Sequence, residues 1–196
     1  MNQEPFACVV ADPPWAFSDQ LSGEKRGAAR NYDVMSVDDL CRIPLPPIAD
    51  DAYLFLWRVS AMVEEAYRVV RAWGFKPKSE VVWNKLTKTG KPWFGMGHHV
   101  RASHETAILA VRGRPTRYNA STRSSFSAPV LRHSEKPAAF YALVEGLCPG
   151  PRVELFARAE RPGWTCLGNE LVTPTVFPVA QSSLFGIGPA NTEGET

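Results

Sequence analysis

Four short apolar runs constrain the fold more than any other feature: Phe6–Ala11 (FACVVA), Ala52–Trp57 (AYLFLW), Thr106–Val111 (TAILAV) and Arg152–Ala157 (RVELFA). Runs of this length with no polar alternation read as strands buried on both faces of a sheet. Ser79–Trp83 is a plausible fifth. Amphipathic stretches lie between them. Ser36 and Asp39 form a capping box, and the short helix they open must stop before Pro44. Ser60 is positioned to cap a helix with Met62, Ala66, Val69, Val70 and Trp73 on one face, Glu64 and Glu65 in its first turn, and Gly74 past its end. A third helix runs from about Glu135 to Leu147, burying Phe140, Leu143, Val144 and Leu147, and Pro149-Gly150 stops it. Strands alternating with helices predict an α/β domain: a mostly parallel sheet with helices on both faces.

The chain has 196 residues, enough for one domain with a sizeable core. Residues 1–171 carry the periodic pattern. Residues 172–196 hold Pro174, Pro178 and Pro189, no basic residue and no periodicity, and are expected to form an extended or disordered tail. No apolar run approaches the ~20 residues a membrane helix needs, and Met1–Pro5 lacks the basic and apolar regions of a secretory signal. The cysteines (Cys8, Cys41, Cys148, Cys166) are scattered, with no CxxC, which points to a reducing, cytoplasmic setting. No histidine or cysteine spacing supports a metal site. Membrane, secreted and metalloenzyme classes are set aside.

The net charge of +2 hides a segregation. From Val81 to His133 one acid, Glu105, faces nine bases: Lys85, Lys88, Lys91, Arg101, Arg112, Arg114, Arg117, Arg123 and Arg132. The rest of the chain holds 13 bases and 19 acids. Trp83, Trp93, Phe94, Tyr118 and Phe126 are interleaved with the cations, a mixture suited to phosphates and unpaired bases. A flexible loop over Ser18–Asn31 adds Lys25, Arg26 and Arg30 beside Gly23 and Gly27. Sequence preference is expected to come from Ser18–Asn31, Lys85–Arg101 and Arg112–Arg132. The Lys85–Arg101 loop, with Gly90, Gly95 and Gly97, is a candidate lid or strand-gripping surface. Its Gly95-Met96-Gly97 lacks the third glycine and preceding strand of a dinucleotide fingerprint.

The residues richest in chemistry are Asp12-Pro13-Pro14-Trp15, directly after the first strand. Ligands of open α/β sheets bind outside the carboxyl ends of strands, so this turn is where a site belongs. The two prolines stiffen the backbone, and Pro14 has no N–H to compete for the Pro13 carbonyl. The Asp12 carboxylate and that carbonyl are then fixed acceptors, and Trp15 adds a flat face for stacking. Such a set suits the exocyclic amine of adenine. Its lone pair is delocalised into the ring, and two acceptors holding both N–H groups draw the nitrogen toward a nucleophilic geometry and stabilise the charge that develops as it attacks. His104 and Glu105 open a strand, where core hydrogen bonding or orientation of the site suits them better than direct chemistry.

VVADPPW (Val9–Trp15), NYDVMS (Asn31–Ser36), LFLW (Leu54–Trp57), AWGF (Ala72–Phe75), GMGH with HE (Gly95–His98, His104-Glu105), HSEKP (His133–Pro137), ELFAR (Glu154–Arg158) and GWTCLGNE (Gly163–Glu170) follow one another in order. The chain thereby resembles a prokaryotic or phage member of the family that includes the catalytic subunit of the eukaryotic messenger-RNA N(6)-adenosine methyltransferase. The resemblance implies a Rossmann-like S-adenosylmethionine-dependent methyltransferase fold with permuted motif order. It also implies a catalytic turn of Asp12, Pro13, Pro14 and Trp15. Cofactor contacts would come from Asp12, Lys136, Phe156, Arg158, Asn169 and Glu170. Lys136, expected in the first turn of the third helix, would hold the methionine carboxylate. Three departures stand out. Little chain precedes the catalytic strand, Glu160 and Arg161 take the place of a ribose-contacting pair, and Glu170 stands where some members have an amide.

The favoured function is transfer of a methyl group from S-adenosylmethionine to N(6) of adenine in DNA. Compactness, the lack of a partner-binding extension and resemblance to the prokaryotic branch favour DNA. RNA is the alternative, since nothing in the turn reads the sugar. A non-catalytic nucleic-acid-binding partner on the same scaffold is a second alternative, against which Asp12 and Trp15 are both retained. Nucleic acid is gripped by Lys25, Arg26, Arg30, Lys85, Lys88, Lys91 and Arg101 in this reading. Monomer and homodimer stay open.

Overall fold

The computed structural model describes residues 4–17, 34–97, 99–132, 135–148, 150–169 and 171. The Ser18–Asn31 loop with Lys25, Arg26 and Arg30, Glu170, and the expected tail lie outside them.

Among the described residues, seven strands form one sheet and three helices accompany it. The strands are β1 (Phe6–Ala11), β2 (Ile48–Arg58), β3 (Lys76–Leu86), β4 (His104–Arg112), β5 (Ser125–Pro129), β6 (Arg152–Leu155) and β7 (Thr165–Leu167). The helices are α1 (Val37–Arg42), α2 (Val63–Ala72) and α3 (Ala138–Leu147). The strand order is β5-β3-β4-β2-β1-β6-β7. β4 runs against both its neighbours and every other pairing is parallel. The sheet is mostly parallel, as the alternation predicts. Among the described residues no helix separates β3, β4 and β5, and the connection from β3 lets β4 turn back against it.

Period-two alternation in the apolar strands feeds two cores. Val9 and Ala11 of β1 and Leu54 and Leu56 of β2 face one way, onto Leu40 of α1 and Ala66, Val69 and Val70 of α2. Cys8, Val10, Phe55 and Trp57 face the other way, onto Phe140, Tyr141, Val144 and Leu147 of α3. Helices therefore cover both faces.

Local signals set most boundaries. The Ser36 hydroxyl accepts the Asp39 amide and starts α1. Gly74 takes φ +79 just after α2, a conformation a side chain would resist. Two helix starts differ from expectation. α2 begins after Met62, with no side-chain cap, because Val59–Met62 closes a turn of its own and leaves Ser60 outside. α3 begins at Ala138 rather than near Glu135, with Pro137 as its extended N-cap (ψ 148). A residue before proline is pushed out of the helical region, so Lys136 precedes the helix instead of sitting in its first turn. β3 is longer than Ser79–Trp83, and β5 was not expected at all. Its sequence SFSAP is poor in apolar residues, as an edge strand tolerates, and its proline sits where no further strand needs an amide.

Candidate active site at the carboxyl edge of the sheet

The carboxyl ends of β1, β2, β3, β5 and β6 and the start of the reversed β4 meet at one edge, around a cavity of about 470 Å³. β1 lies where the order turns, with β2 on one side and β6 on the other. Crevices of open sheets form at such switch points. Asp12, Pro13, Pro14 and Trp15 line the cavity from the end of β1. Arg58 and Lys85 come from the ends of β2 and β3, Glu105 from the start of β4, Lys136 from before α3 and Arg158 from after β6.

The turn is held by its own backbone. The Trp15 amide donates to the Pro13 carbonyl at 2.9 Å, closing a three-residue turn. The Met35 amide donates to the Pro14 carbonyl at 2.8 Å and the Ala16 amide to that of Met35 at 3.0 Å. The Pro13 carbonyl is thus not untouched, as the double proline implied. Pro14 offers it no donor but Trp15 does, which commits one of its two lone pairs. Trp15 also differs from the expected stacking face. It is 4% exposed and its indole N–H donates to the Trp57 carbonyl at 3.0 Å, so it chiefly anchors the turn to β2.

Beside the turn, charges alternate. Lys136 Nζ donates to Asp12 Oδ2 at 2.5 Å and lies 3.6 Å from Glu105 Oε2. The second distance is too long for a hydrogen bond and is a charge contact. Glu105 Oε1 meets Lys85 Nζ at 2.5 Å. Lys136 also lies over the Trp57 ring, 5.1 Å from its centre. Its side chain is only 7% exposed, so removing one partner would leave a buried charge unmatched. Burial pushes the Lys136 pKa down, yet Asp12 and Glu105 outweigh it and the net displacement is upward. Burial pushes the Glu105 carboxyl up, and Lys136 with Lys85 reverses that to a net fall. Both groups are held in their charged forms.

The structure gathers Asp12–Trp15, Lys85, Lys136 and Arg158 on one cavity. Phe156 is not part of its lining: it takes φ +62 directly after β6 and packs against the core. Asn169 is exposed after β7, also away from the lining. Arg161 lies against the Tyr141 ring, with Nε 3.9 Å from Glu154 Oε2, while the Tyr141 hydroxyl donates to Glu154 Oε1 at 2.7 Å. Lys88, Lys91 and Arg101 are exposed on the loop joining β3 to β4, whose Trp93 and Ala102 reach the cavity rim. Arg58 was missed by the sequence reading. It pairs with Glu80 Oε1 through Nη2 at 3.0 Å and lines the cavity. Its signal was present, a cation at the carboxyl end of an apolar strand.

The basic segment does not stay together. β4 carries the chain from the cavity edge to the opposite edge, where Arg112 pairs with Ala52 in the first half of β2. There the Arg112 guanidinium donates to the Trp73 carbonyl at 2.8 Å and the Arg114 amide to Asp51 Oδ1 at 2.6 Å. The segment Arg112–Arg132, expected to contribute to substrate preference, is therefore divided between the two edges. Arg132 lines the cavity, whereas Arg112, Arg114 and Arg117 lie at or beyond the far end of β4.

The donor set is compatible with S-adenosylmethionine: the volume is in the range of small-ligand cavities, and Lys136 and Arg158 on its wall would supply cations for the carboxylate or ribose oxygens. Among the described residues no three His, Cys, Asp or Glu side chains gather as a metal would require, and no helix is long and apolar enough to cross a membrane.

The sequence pattern of the MT-A70 family matches residues 6–170. The chain is 31% identical to the human N(6)-adenosine-methyltransferase catalytic subunit METTL3 over 85% of its own length and 28% of that protein's. It is likewise 31% identical to the N(6)-adenosine-methyltransferase MT-A70-like protein of Drosophila melanogaster, over 85% and 27%. It therefore spans little more than a quarter of those relatives. With the type II methyltransferase M.MunI of a Mycoplasma species it shares 25% identity, over 87% of its own length and 80% of that enzyme's.

Proposed function

Because the chain belongs to the MT-A70 family, we propose that it transfers a methyl group from S-adenosylmethionine to the exocyclic N(6) amine of adenine in DNA. The observation carrying this reading is the Asp12-Pro13-Pro14-Trp15 turn, fixed by backbone hydrogen bonds and by Trp15 on the wall of the cavity. The cofactor supplies, when bound, a methyl group made electrophilic by a sulfonium centre.

The residues of this chain do the rest. Lys136 engages Asp12 Oδ2. The reading assigns Asp12 Oδ1 and the second lone pair of the Pro13 carbonyl to the two N–H bonds of the amine. With both held, the nitrogen lone pair is turned out of conjugation. The bound cofactor would supply the methyl carbon to this nitrogen, with the electron pair of the broken carbon–sulfur bond left on sulfur. The amine becomes cationic, beside the Asp12 carboxylate, and then releases a proton to solvent. Fixed charges aimed at the point where charge develops are worth most in a site closed to water. Lys136 and Glu105 act as positioning residues for Asp12.

DNA is favoured because the type II methyltransferase covers nearly the whole chain and is itself nearly covered by it. One observation supports RNA as a second reading: identity is higher to enzymes named for adenosine, the ribonucleoside. Labelled S-adenosylmethionine, offered with unmethylated duplex DNA, single-stranded DNA and RNA in parallel, tests both. The expected result is 6-methyladenine in DNA. Label in RNA alone would move the substrate to RNA, and failure to bind the cofactor would favour a non-catalytic scaffold.

A further inference from the structure

The loop joining β3 to β4 carries a feature the proposed chemistry leaves unused. Phe94, Met96 and Val100 are 76%, 85% and 78% exposed, a cluster of large apolar side chains in one short stretch. Three such side chains within seven residues make this loop a candidate contact surface.

The two limbs of the loop are tied together through their backbones. Leu86 bridges to Pro92, the Trp93 amide donates to the Lys85 carbonyl at 2.9 Å, and the Gly95 amide to that of Ala102 at 3.1 Å. Its two limbs approach so closely that a Cβ on Gly95 would meet the Ala102 carbonyl oxygen and one on Gly97 that of Val100. Arg101 lies over the Phe94 ring, 5.1 Å from its centre, and donates to the Gly97 carbonyl at 3.3 Å.

Two further observations indicate what the tip meets. Trp93 and Ala102, next to Phe94 and Arg101, form part of the cavity wall, so the apolar tip starts where the cavity ends. From Leu86 to His104 the sequence has no acid but carries Lys88, Lys91 and Arg101, all exposed. An apolar tip with Arg101 against Phe94, on a loop that also carries Lys88 and Lys91 and borders a cavity of about 470 Å³, matches a duplex, phosphates outside and stacked bases within. Apolar wedges inserted between base steps are a general means of unstacking them, and an adenine inside a duplex must leave the stack before its amine can react.

We propose that Phe94, Met96 and Val100 form a wedge that enters DNA beside the target adenine and fills the space vacated as the base turns into the cavity. This rests on the reading of the chain as a DNA adenine methyltransferase.

The test compares wild type with a combined Phe94→Ala, Met96→Ala and Val100→Ala variant. Each is given an unmethylated amplified duplex and the same DNA as single strands, with 6-methyladenine counted and oligomeric mass measured by light scattering. The variant should lose about tenfold or more on duplex relative to single strands, since unstacking costs a few kcal/mol per step. Equal loss on both substrates overturns the wedge: with a lower mass the tip is a protein interface, and with unchanged mass it is structural. No loss on duplex also overturns it. Wild type acting on single strands alone would remove the wedge and leave the methyltransferase reading standing. Wild type labelling no DNA would fell that reading itself.

Discussion

The two edges of the sheet hold nearly the same residue types and differ in what those residues can do. At the carboxyl edge, Lys85 and Lys136 alternate with Asp12 and Glu105 around a cavity, and Lys88, Lys91 and Arg101 are exposed on the adjoining loop between β3 and β4. At the opposite edge, the Arg112 guanidinium is tied to the Trp73 carbonyl and the Arg114 backbone to Asp51. Sequence places Lys85, Lys88, Lys91 and Arg101 in one basic segment with Arg112 and Arg114. The single reversed strand β4 puts them at opposite ends of the sheet. A charge cluster along the chain is thus not a charge cluster in space, and only strand direction distinguishes the two.

The largest expected effect is at the turn. Asp12→Asn keeps the shape of the side chain and removes its charge, and transfer should fall by about 10²–10³-fold, the range for losing one transition-state contact. Nucleic-acid binding, read by fluorescence anisotropy, should be retained. Lys136→Met should follow, because Asp12 and Glu105 would then face each other without the intervening cation. Breaking a buried pair costs about 3–5 kcal/mol, visible as a fall in chemical-denaturation midpoint.

Contrasting the two edges directly gives a smaller effect. Combined Lys88→Ala, Lys91→Ala and Arg101→Ala should reduce the salt slope of DNA binding by about 2–3, at roughly 0.9 per phosphate contact. Combined Lys76→Ala, Arg114→Ala and Arg117→Ala, at the far edge, should leave it unchanged. A reduced slope in the second variant would mean that nucleic acid wraps both edges.

The smallest effect concerns pH. Glu105 has a folded pKa below its unfolded value of about 4.3, so its contribution is present above that value and disappears as pH falls through the folded one. Lys136 has a folded pKa above its unfolded value of about 10.4, so its contribution is present below that and lost as pH rises through the folded one. The stability difference between wild type and Glu105→Gln should be flat from about pH 5 to 10 and shrink below about pH 4.

Much of this was legible from the sequence because the signals are local. β1 matches FACVVA end to end, and Ser36 with Asp39 fixed the start of α1. The Asp12–Trp15 turn could be placed because a strand end is a local event. What could not be read depends on long-range pairing. SFSAP becomes a strand only because β3 offers it a partner, and Lys136 meets Asp12 from 124 residues away. Trp15 shows the same limit. Its residue type suits stacking, but the burial that turns it into an anchor is decided by the Trp57 carbonyl on β2.

The account turns on Asp12 acting on the amine of adenine. The most direct measurement is mass spectrometry of nucleosides from DNA incubated with S-adenosylmethionine and either wild type or Asp12→Asn. The account predicts 6-methyladenine with wild type and almost none with the variant, while the variant still binds DNA. Equal 6-methyladenine from both proteins, or a methyl group on another base, would contradict it.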